Sequence, residues 1–87
     1  PRDTISRQDM MVLTERALRM LNMINKASSI TEINKFSDKE QIAAYAIESI
    51  EALVREGLIK GDGTRINPLG KTTRAEAAVF LYRIYNK

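Results

Sequence analysis

Thr72-Thr73-Arg74-Ala75-Glu76, followed at once by Ala77-Ala78-Val79-Phe80-Leu81, reads as the start of a helix. Thr73 stands three residues before Glu76 and ahead of an apolar run. At that spacing a hydroxyl takes one orphan N–H of the first turn while the carboxylate returns to the N–H of the cap. Arg74 falls in the same turn. The chain opens with a second version, Ile5-Ser6-Arg7-Gln8-Asp9 ahead of Met10-Met11-Val12-Leu13, in which Ser6 matches Thr73, Arg7 matches Arg74, Asp9 matches Glu76 and Val12 matches Val79. One element occurs twice, and the rest of the chain connects the copies.

Outward from Glu76, the third helix is expected to run to about Tyr85 with Ala77, Phe80, Leu81 and Ile84 facing inward. Ala75, Ala77 and Ala78 keep its first turns thin, which permits close approach by another helix or a ligand. Upstream, the stretch from Leu58 to Lys71 holds three of the four glycines and one of the two prolines. That density specifies consecutive tight turns, with Ile59 and Ile66 as anchors of a very short two-stranded pairing. The second helix is expected from about Lys39 to Glu56. Ile42, Tyr45, Ala46, Ile50, Leu53 and Val54 line its buried face, and Glu48, Glu51 and Arg55 lie opposite, with Glu51 and Arg55 as an i,i+4 pair worth about 0.2 to 0.5 kcal/mol. Its start is served either by Ser37 with Glu40 or by Asp38 with Gln41. Gly57 ends it in a left-handed cap, with Leu58 packing back on the last turn.

The first helix begins at Ser6, with Asp9 completing its box, and is expected to reach about Met23 or Ile24. Met10, Leu13, Ala17, Leu21 and Ile24 form its buried stripe, widened by Met11 and Leu18, while Arg16, Arg19 and Asn22 fall largely outside. Residues 25–29 lose the periodicity and read as a connector. Ile30, Ile33 and Phe36 are then spaced for a short helical turn or an irregular anchored segment. The fold class is all-α: a small helical repeat bundle of three main helices with a structured turn loop between the second and third.

Composition narrows the chemistry. The chain has 87 residues, of which 44% are hydrophobic and 29% charged. Such a chain folds as one ordered domain, or a piece of one, that buries about 60 to 65% of its surface. With no Cys and no His, disulfides and thiolate metal sites are excluded, and carboxylates remain the only side-chain metal ligands. The net charge of +3 comes from 14 basic and 11 acidic residues scattered along the chain. It favours an anionic partner in sign, but no basic cluster with interleaved aromatics points to nucleic acid. No apolar run approaches the roughly 20 residues that span a bilayer. Pro1-Arg2-Asp3 does not begin a signal peptide, so if the protein is exported its signal lies outside this segment. No enzyme, cofactor or metal is expected: there is no Gly-x-Ser-x-Gly elbow, the carboxylates sit at helix caps or exposed faces, and Asp62-Gly63 lacks the spaced ligands and terminal Glu of a calcium loop.

Phe36-Ser37-Asp38, Tyr45-Ala46, Ile50, Leu53, Gly57-Leu58-Ile59, Gly61, Asp62-Gly63, Pro68 and Thr73-Arg74-Ala75-Glu76 together resemble one complete S-layer homology repeat. Ile5 to about Leu21 resembles the closing helix of a preceding repeat, with Gln8 and Asp9 where the family has Ala and Glu. Thr72 stands where an apolar residue is usual, and the turn loop is short. The resemblance divides the chain into residues 1–29, the closing helix of a preceding repeat, and residues 30–87, one complete repeat. It implies a helical module on the bacterial surface, in the cell wall or S-layer. Family members typically carry three repeats whose arginine-bearing helices form a central bundle, and the grooves between repeats hold a pyruvylated secondary cell-wall polysaccharide without covalent chemistry. Carried over by position, the ligand-binding residues are Arg74, Arg7, Gly61, Asp62, Gly63 and Thr73, and the helix-capping support is Ser6, Asp9 and Glu76.

Elementary physics accommodates that implication. A helix start carries unpaired N–H groups and the positive end of the helix dipole, and an arginine in the first turn adds a planar fork that grips a carboxylate with two hydrogen bonds. A ketal-linked pyruvate supplies such a carboxylate. Arg74 is the stronger candidate, because only it follows its own helix, Gly57 exit and turn loop. The expected partners are an anionic cell-wall polysaccharide and neighbouring repeats or another copy of the chain. The alternative is a structural module that oligomerises and has no ligand of its own, since repeat units do not usually bury their faces alone. A small DNA-binding domain is disfavoured because no helix presents a basic face.

Overall fold

A computed structural model describes residues 4–59 and 63–86 of the chain. Strand β1 (Thr4–Ser6) leads into helix α1 (Arg7–Met20). Three 3₁₀ turns follow, at Glu32–Lys35, Lys39–Gln41 and Ala44–Ala46, before helix α2 (Ile47–Arg55), strand β2 (Lys71–Thr73) and helix α3 (Arg74–Tyr85). Three helices carry the fold, as their periodicity predicts. The addition is a two-stranded antiparallel ribbon that pairs Thr4 with Thr73, Ile5 with Thr72 and Ser6 with Lys71. It ties together the segments that precede the two arginine-bearing helices.

That ribbon replaces the pairing expected between Ile59 and Ile66. Both isoleucines are buried and enter the core as side chains. The backbone around Ile66 is already engaged, because the Asp38 carboxylate accepts the N–H groups of Ile66 at 3.0 Å and Asn67 at 2.7 Å. Asp38 therefore caps no helix, and neither capping box proposed for Ser37 to Gln41 forms. Ser37 also turns to the loop, donating its N–H and its hydroxyl to the Thr64 carbonyl.

The second helix is shorter than its periodicity predicts. Ile42 and Ala43 are extended, and the Ala43 N–H donates to Gln8 Oε1 of α1 at 2.8 Å. A side chain from another helix thus captures a donor that a continuous helix would use internally. Its exit follows the expected pattern: Gly57 has φ of +76°, with Gly57 N–H on Val54 O and Leu58 N–H on Leu53 O, both at 3.0 Å. These two bonds close a Schellman turn. The first helix ends the same way and earlier than expected, through Asn22 at φ of +58° and a Met23 N–H bond to Leu18 O.

Inside lie Met11, Leu18, Phe36, Ile50, Leu53 and Ile66, all fully buried. The face that α1 sends inward is rotated from the expected stripe. Met10, Met11 and Leu18 are buried as expected, but Gln8, Val12, Thr14 and Glu15 join them while Leu13 and Leu21 are exposed. The rotation is hidden in the sequence because three of those seven buried residues, Gln8, Thr14 and Glu15, are polar. Glu15 is tolerated inside because it accepts the Ser49 hydroxyl at 3.0 Å and lies against Arg19, whose Nε is 2.6 Å away as a charge contact without an aligned hydrogen bond. Of the residues expected in the second helix, Tyr45, which lies in the Ala44–Ala46 turn, proves exposed and Glu51, on α2, buried, the reverse of expectation. Glu51 satisfies itself by accepting the N–H groups of Thr31, Glu32 and Ile33 and pairing with Arg55 at 2.6 Å. It thereby folds the Glu32–Lys35 turn against α2. Buried charge is stable only with this kind of complete pairing.

Candidate functional site

The arginine-bearing helix starts lie at opposite ends of the ribbon, since α1 leaves β1 after Ser6 and α3 leaves β2 after Thr73. At α3 the capping box is complete. The Thr73 hydroxyl accepts the Glu76 N–H at 3.0 Å, and Glu76 Oε1 accepts the Thr73 N–H at 2.9 Å and the Thr72 hydroxyl at 3.1 Å. The Thr73 backbone bond, followed by the Thr72 and Thr73 hydroxyls, holds the Glu76 carboxyl below its ordinary pKa. Thr72, the departure from the family pattern, thus gains a role as third member of the cap. Arg74 is exposed and its side chain has no partner among the described residues.

At α1 the box is one-sided. Ser6 Oγ accepts the Asp9 N–H at 3.1 Å, but the shorter Asp9 side chain accepts the Tyr45 hydroxyl at 2.5 Å instead of returning to Ser6. This bond to Asp9, then burial and the Asp9 charge, raise the Tyr45 pKa above that of an ordinary phenol. The turn loop comes up against the same helix start. Arg7 N–H donates to Gly70 O at 2.8 Å and Gln8 N–H to Pro68 O at 3.0 Å. With Asp9 N–H on Ser6, three first-turn donors are taken by this chain's own oxygens. What remains for an anion at this end is the guanidinium. Arg7 is half-buried, its Nε reaches Ile66 O in a long bond of 3.4 Å, and its terminal nitrogens have no partner among the described residues.

Gly70 supports that placement. A Cβ there would stand 2.6 Å from Asn67 Nδ2 and 3.1 Å from Arg7 Cδ, so a side chain at this position would press on the Asn67 amide and shift the arginine stem. Asn67, at φ of +58°, makes the tight turn that brings Gly70 there. The turn itself is fixed from below by Asp38. Of the loop residues carried over from the family, Gly63 adopts φ of +99°, a conformation that favours glycine, whereas Gly61 and Asp62 lie outside the described residues. The geometry therefore brings Arg7, Ser6 and the Ile66–Gly70 turn together and leaves Arg74 and Thr73 at the other end of the ribbon. Gly70 is a structural residue that sequence reasoning passed over, and Asp38 is one that it assigned to a helix cap instead of to the loop. The Phe36-Ser37-Asp38 run was the available signal for Asp38, and the Asn67-Pro68-Leu69-Gly70 turn for Gly70.

Among the described residues no three acids gather as a metal site, and no helix is long and apolar enough to cross a membrane.

Comparison with known proteins places the chain in a family. The sequence profile of the S-layer homology domain matches residues 35–78. An amylopullulanase of Thermoanaerobacterium thermosulfurigenes is 30% identical over 88 residues, covering 100% of this chain and 5% of that protein. The exoglucanase XynX of Acetivibrio thermocellus is also 30% identical over 88 residues, covering 100% of this chain and 8% of that protein. The chain thus spans less than a tenth of these relatives. No solved structure matches it. Because the match runs from the turn before Phe36, through the loop that seats Arg7, to the capped start of α3, the chain belongs to the S-layer homology domain family, the non-catalytic cell-wall anchoring modules of cell-surface proteins.

Proposed function

We propose that this chain anchors a larger polypeptide outside the bacterial cell by binding a pyruvylated secondary cell-wall polysaccharide, with arginine at helix N-termini gripping the pyruvate carboxylate. The observation that carries the proposal is the Arg7 side chain, whose Nε reaches Ile66 O and whose stem runs beside Gly70, with its terminal nitrogens unclaimed by the described residues. A braced fork loses little freedom when it takes a carboxylate in two hydrogen bonds. Sequence alone favours Arg74; the surroundings described here favour Arg7, because its loop belongs to the same chain. Arg74 is proposed as the equivalent residue of a second site, with Thr73 and Glu76 holding its helix start. In this scheme residues 1–29 close one repeat and residues 30–87 form the next, so that the Arg7 site lies at their junction; the family's loop positions carry over to Gly61, Asp62 and Gly63 by sequence.

The test is calorimetric titration with purified cell-wall polysaccharide, before and after chemical removal of pyruvate. The parent chain is compared with Arg7→Ala, Arg74→Ala and the double variant, each checked for native circular dichroism. Loss of one bidentate charged contact is expected to weaken binding by at least about tenfold in Arg7→Ala. Equal binding of the depyruvylated polymer, or a double variant that binds like the parent, would refute the proposal. The second reading, an assembly module without a ligand, draws on the exposed Val79, Tyr82 and Tyr85 of α3. It predicts no heat with either polymer.

A further inference from the structure

Asp38 is buried, yet no helix start uses its carboxylate. Its two oxygens go to consecutive backbone donors, Oδ1 to the Ile66 N–H at 3.0 Å and Oδ2 to the Asn67 N–H at 2.7 Å. The peptides on both sides of Ile66 are thereby pinned, and the Ile66 side chain is fully buried beneath them. The Asn67 N–H and Ile66 O belong to one peptide plane, and a trans plane carries these two groups on opposite edges. The edge turned away from Asp38 therefore presents its oxygen to Arg7 Nε, 3.4 Å away. A single peptide stands between a buried carboxylate and a guanidinium, and each charge meets the end of the peptide dipole that it attracts.

We propose that Asp38 is a positioning residue for Arg7 and acts through the Ile66–Asn67 peptide. A carboxylate on the N–H polarises the plane and makes its carbonyl a stronger acceptor, which matters for a bond as long as 3.4 Å. The same carboxylate fixes where that carbonyl points, because Asn67 at φ of +58° turns the chain away directly after it. Asp38 is itself held in place. Ser37 before it gives its N–H and hydroxyl to Thr64 O at 2.7 and 3.1 Å, and Asp38 O accepts the Gln41 N–H at 2.9 Å. An amide at this position would set its own NH₂ against one of the two converging donors. The buried charge is also offset on the loop side, where Arg65 Nε lies 3.9 Å from Oδ2, so repulsion of an anion at Arg7 is blunted while the brace remains. Asp38 supports Arg7 in the free chain; only the effect on glycan affinity rests on the function proposed above.

The experiment compares the parent with Asp38→Asn, checked for native circular dichroism, first without ligand. Nitrogen-15 relaxation at Arg7 Nε reads the brace. Its order parameter is expected above about 0.6 in the parent and below that in Asp38→Asn. Arg74, exposed and without a partner among the described residues, serves as the control and is expected to be mobile in both. Equal Arg7 order in the two proteins would overturn the positioning. Titration with the pyruvylated polysaccharide follows. Asp38→Asn is expected to weaken binding about threefold to tenfold, the cost of ordering one long side chain, and to have no further effect in an Arg7→Ala background. A loss of the same size in both backgrounds would make Asp38 merely structural. Should Asp38→Asn not fold, Arg7→Lys decides, since it keeps the charge and removes Nε. The Asn67 amide proton and the Asp38 carboxyl carbon are then expected to shift together relative to the parent, and unchanged resonances at both would overturn the coupling. A parent that ignores the polymer would remove the proposed function, while the ligand-free relaxation would still judge Asp38.

Discussion

The carboxylate of Glu51 accepts the backbone N–H of Ile33 at 3.1 Å across eighteen residues of sequence. With Thr31 and Glu32 as further donors and Arg55 at 2.6 Å, one buried side chain closes the turn that follows the connector. Glu51→Ala strands those donors in a dry site and is expected to cost about 3 kcal/mol, and Glu51→Gln, which keeps one oxygen, about half of that. Urea unfolding at neutral pH measures both. A loss below about 0.5 kcal/mol in the alanine variant, the size of an ordinary surface pair, would show that the turn holds without the carboxylate.

The same group sets a pH dependence. Burial alone would raise the Glu51 pKa, but the N–H groups of Glu32, Ile33 and Thr31, with the Arg55 charge, outweigh it and hold the folded value below the ordinary 4.5. A carboxyl with a depressed folded pKa contributes its full stabilisation above the unfolded value and loses it as pH falls through the folded one. Stability is therefore expected to drop below about pH 4.5, and the drop to be shallower in Glu51→Gln. Parallel pH profiles for parent and variant would assign the acid transition to other carboxyls.

Glu15 and Ser49 join α1 to α2 at 3.0 Å. Ser49→Ala is expected to cost about 1 kcal/mol and Glu15→Ala about 3 kcal/mol, the second combining a cavity with an unpaired partner. Because the residues share one bond, Glu15→Met with Ser49→Ala should fall short of the sum of its single variants by about 1 kcal/mol. A double-mutant cycle that closes to zero would mean the bond contributes nothing.

Much of this fold was legible because its helix signals are local. Thr73 with Glu76, Gly57 with Leu58, and the apolar spacing of α3 each concern residues within a turn of one another, and each appears where the sequence puts it. What escaped was decided across the fold. The start of α2 is set by Gln8, thirty-five residues upstream of Ala43. The depth of Glu51 and Glu15 depends on partners that periodicity counts as solvent-facing. The ribbon joins segments at opposite ends of the chain, neither of which reads as a strand alone. At the candidate site, the two arginines were evident from their repeated motif. The bracing of Arg7 was not, because it depends on how far the loop travels to reach α1.

Gly57 offers a clean test of conformation against packing. A Cβ added there would meet nothing within 4 Å, yet φ is +76°. Gly57→Ala is thus expected to lower stability by about 1 kcal/mol through backbone strain alone, with no change in the glycan titration. An unchanged denaturation midpoint would show that the helix exit rearranges without penalty.

Gly70→Ala tests the opposite case. The new methyl crowds Asn67 and the Arg7 stem, so the guanidinium is displaced while the helix start keeps its loop carbonyls. Polysaccharide affinity is expected to fall nearly as far as in Arg7→Ala, with a loss of stability under about 1.5 kcal/mol. Full retention of affinity would separate Arg7 from the loop.

The ribbon has a mechanical consequence. The chain enters β1 at Thr4 and leaves β2 at Thr73, and these two residues stand directly opposite one another in the antiparallel pair. Tension applied at Thr4 and Thr73 themselves pulls this pair apart first, so the ribbon opens like a zip, one rung at a time. A pull from beyond α3 reaches Thr73 only after that helix leaves the core, on which Ala77, Phe80, Leu81 and Ile84 pack. Single-molecule stretching with handles at Thr4 and Thr73 is expected to show a low-force opening of the ribbon before the helices separate, and a single abrupt rupture would contradict it.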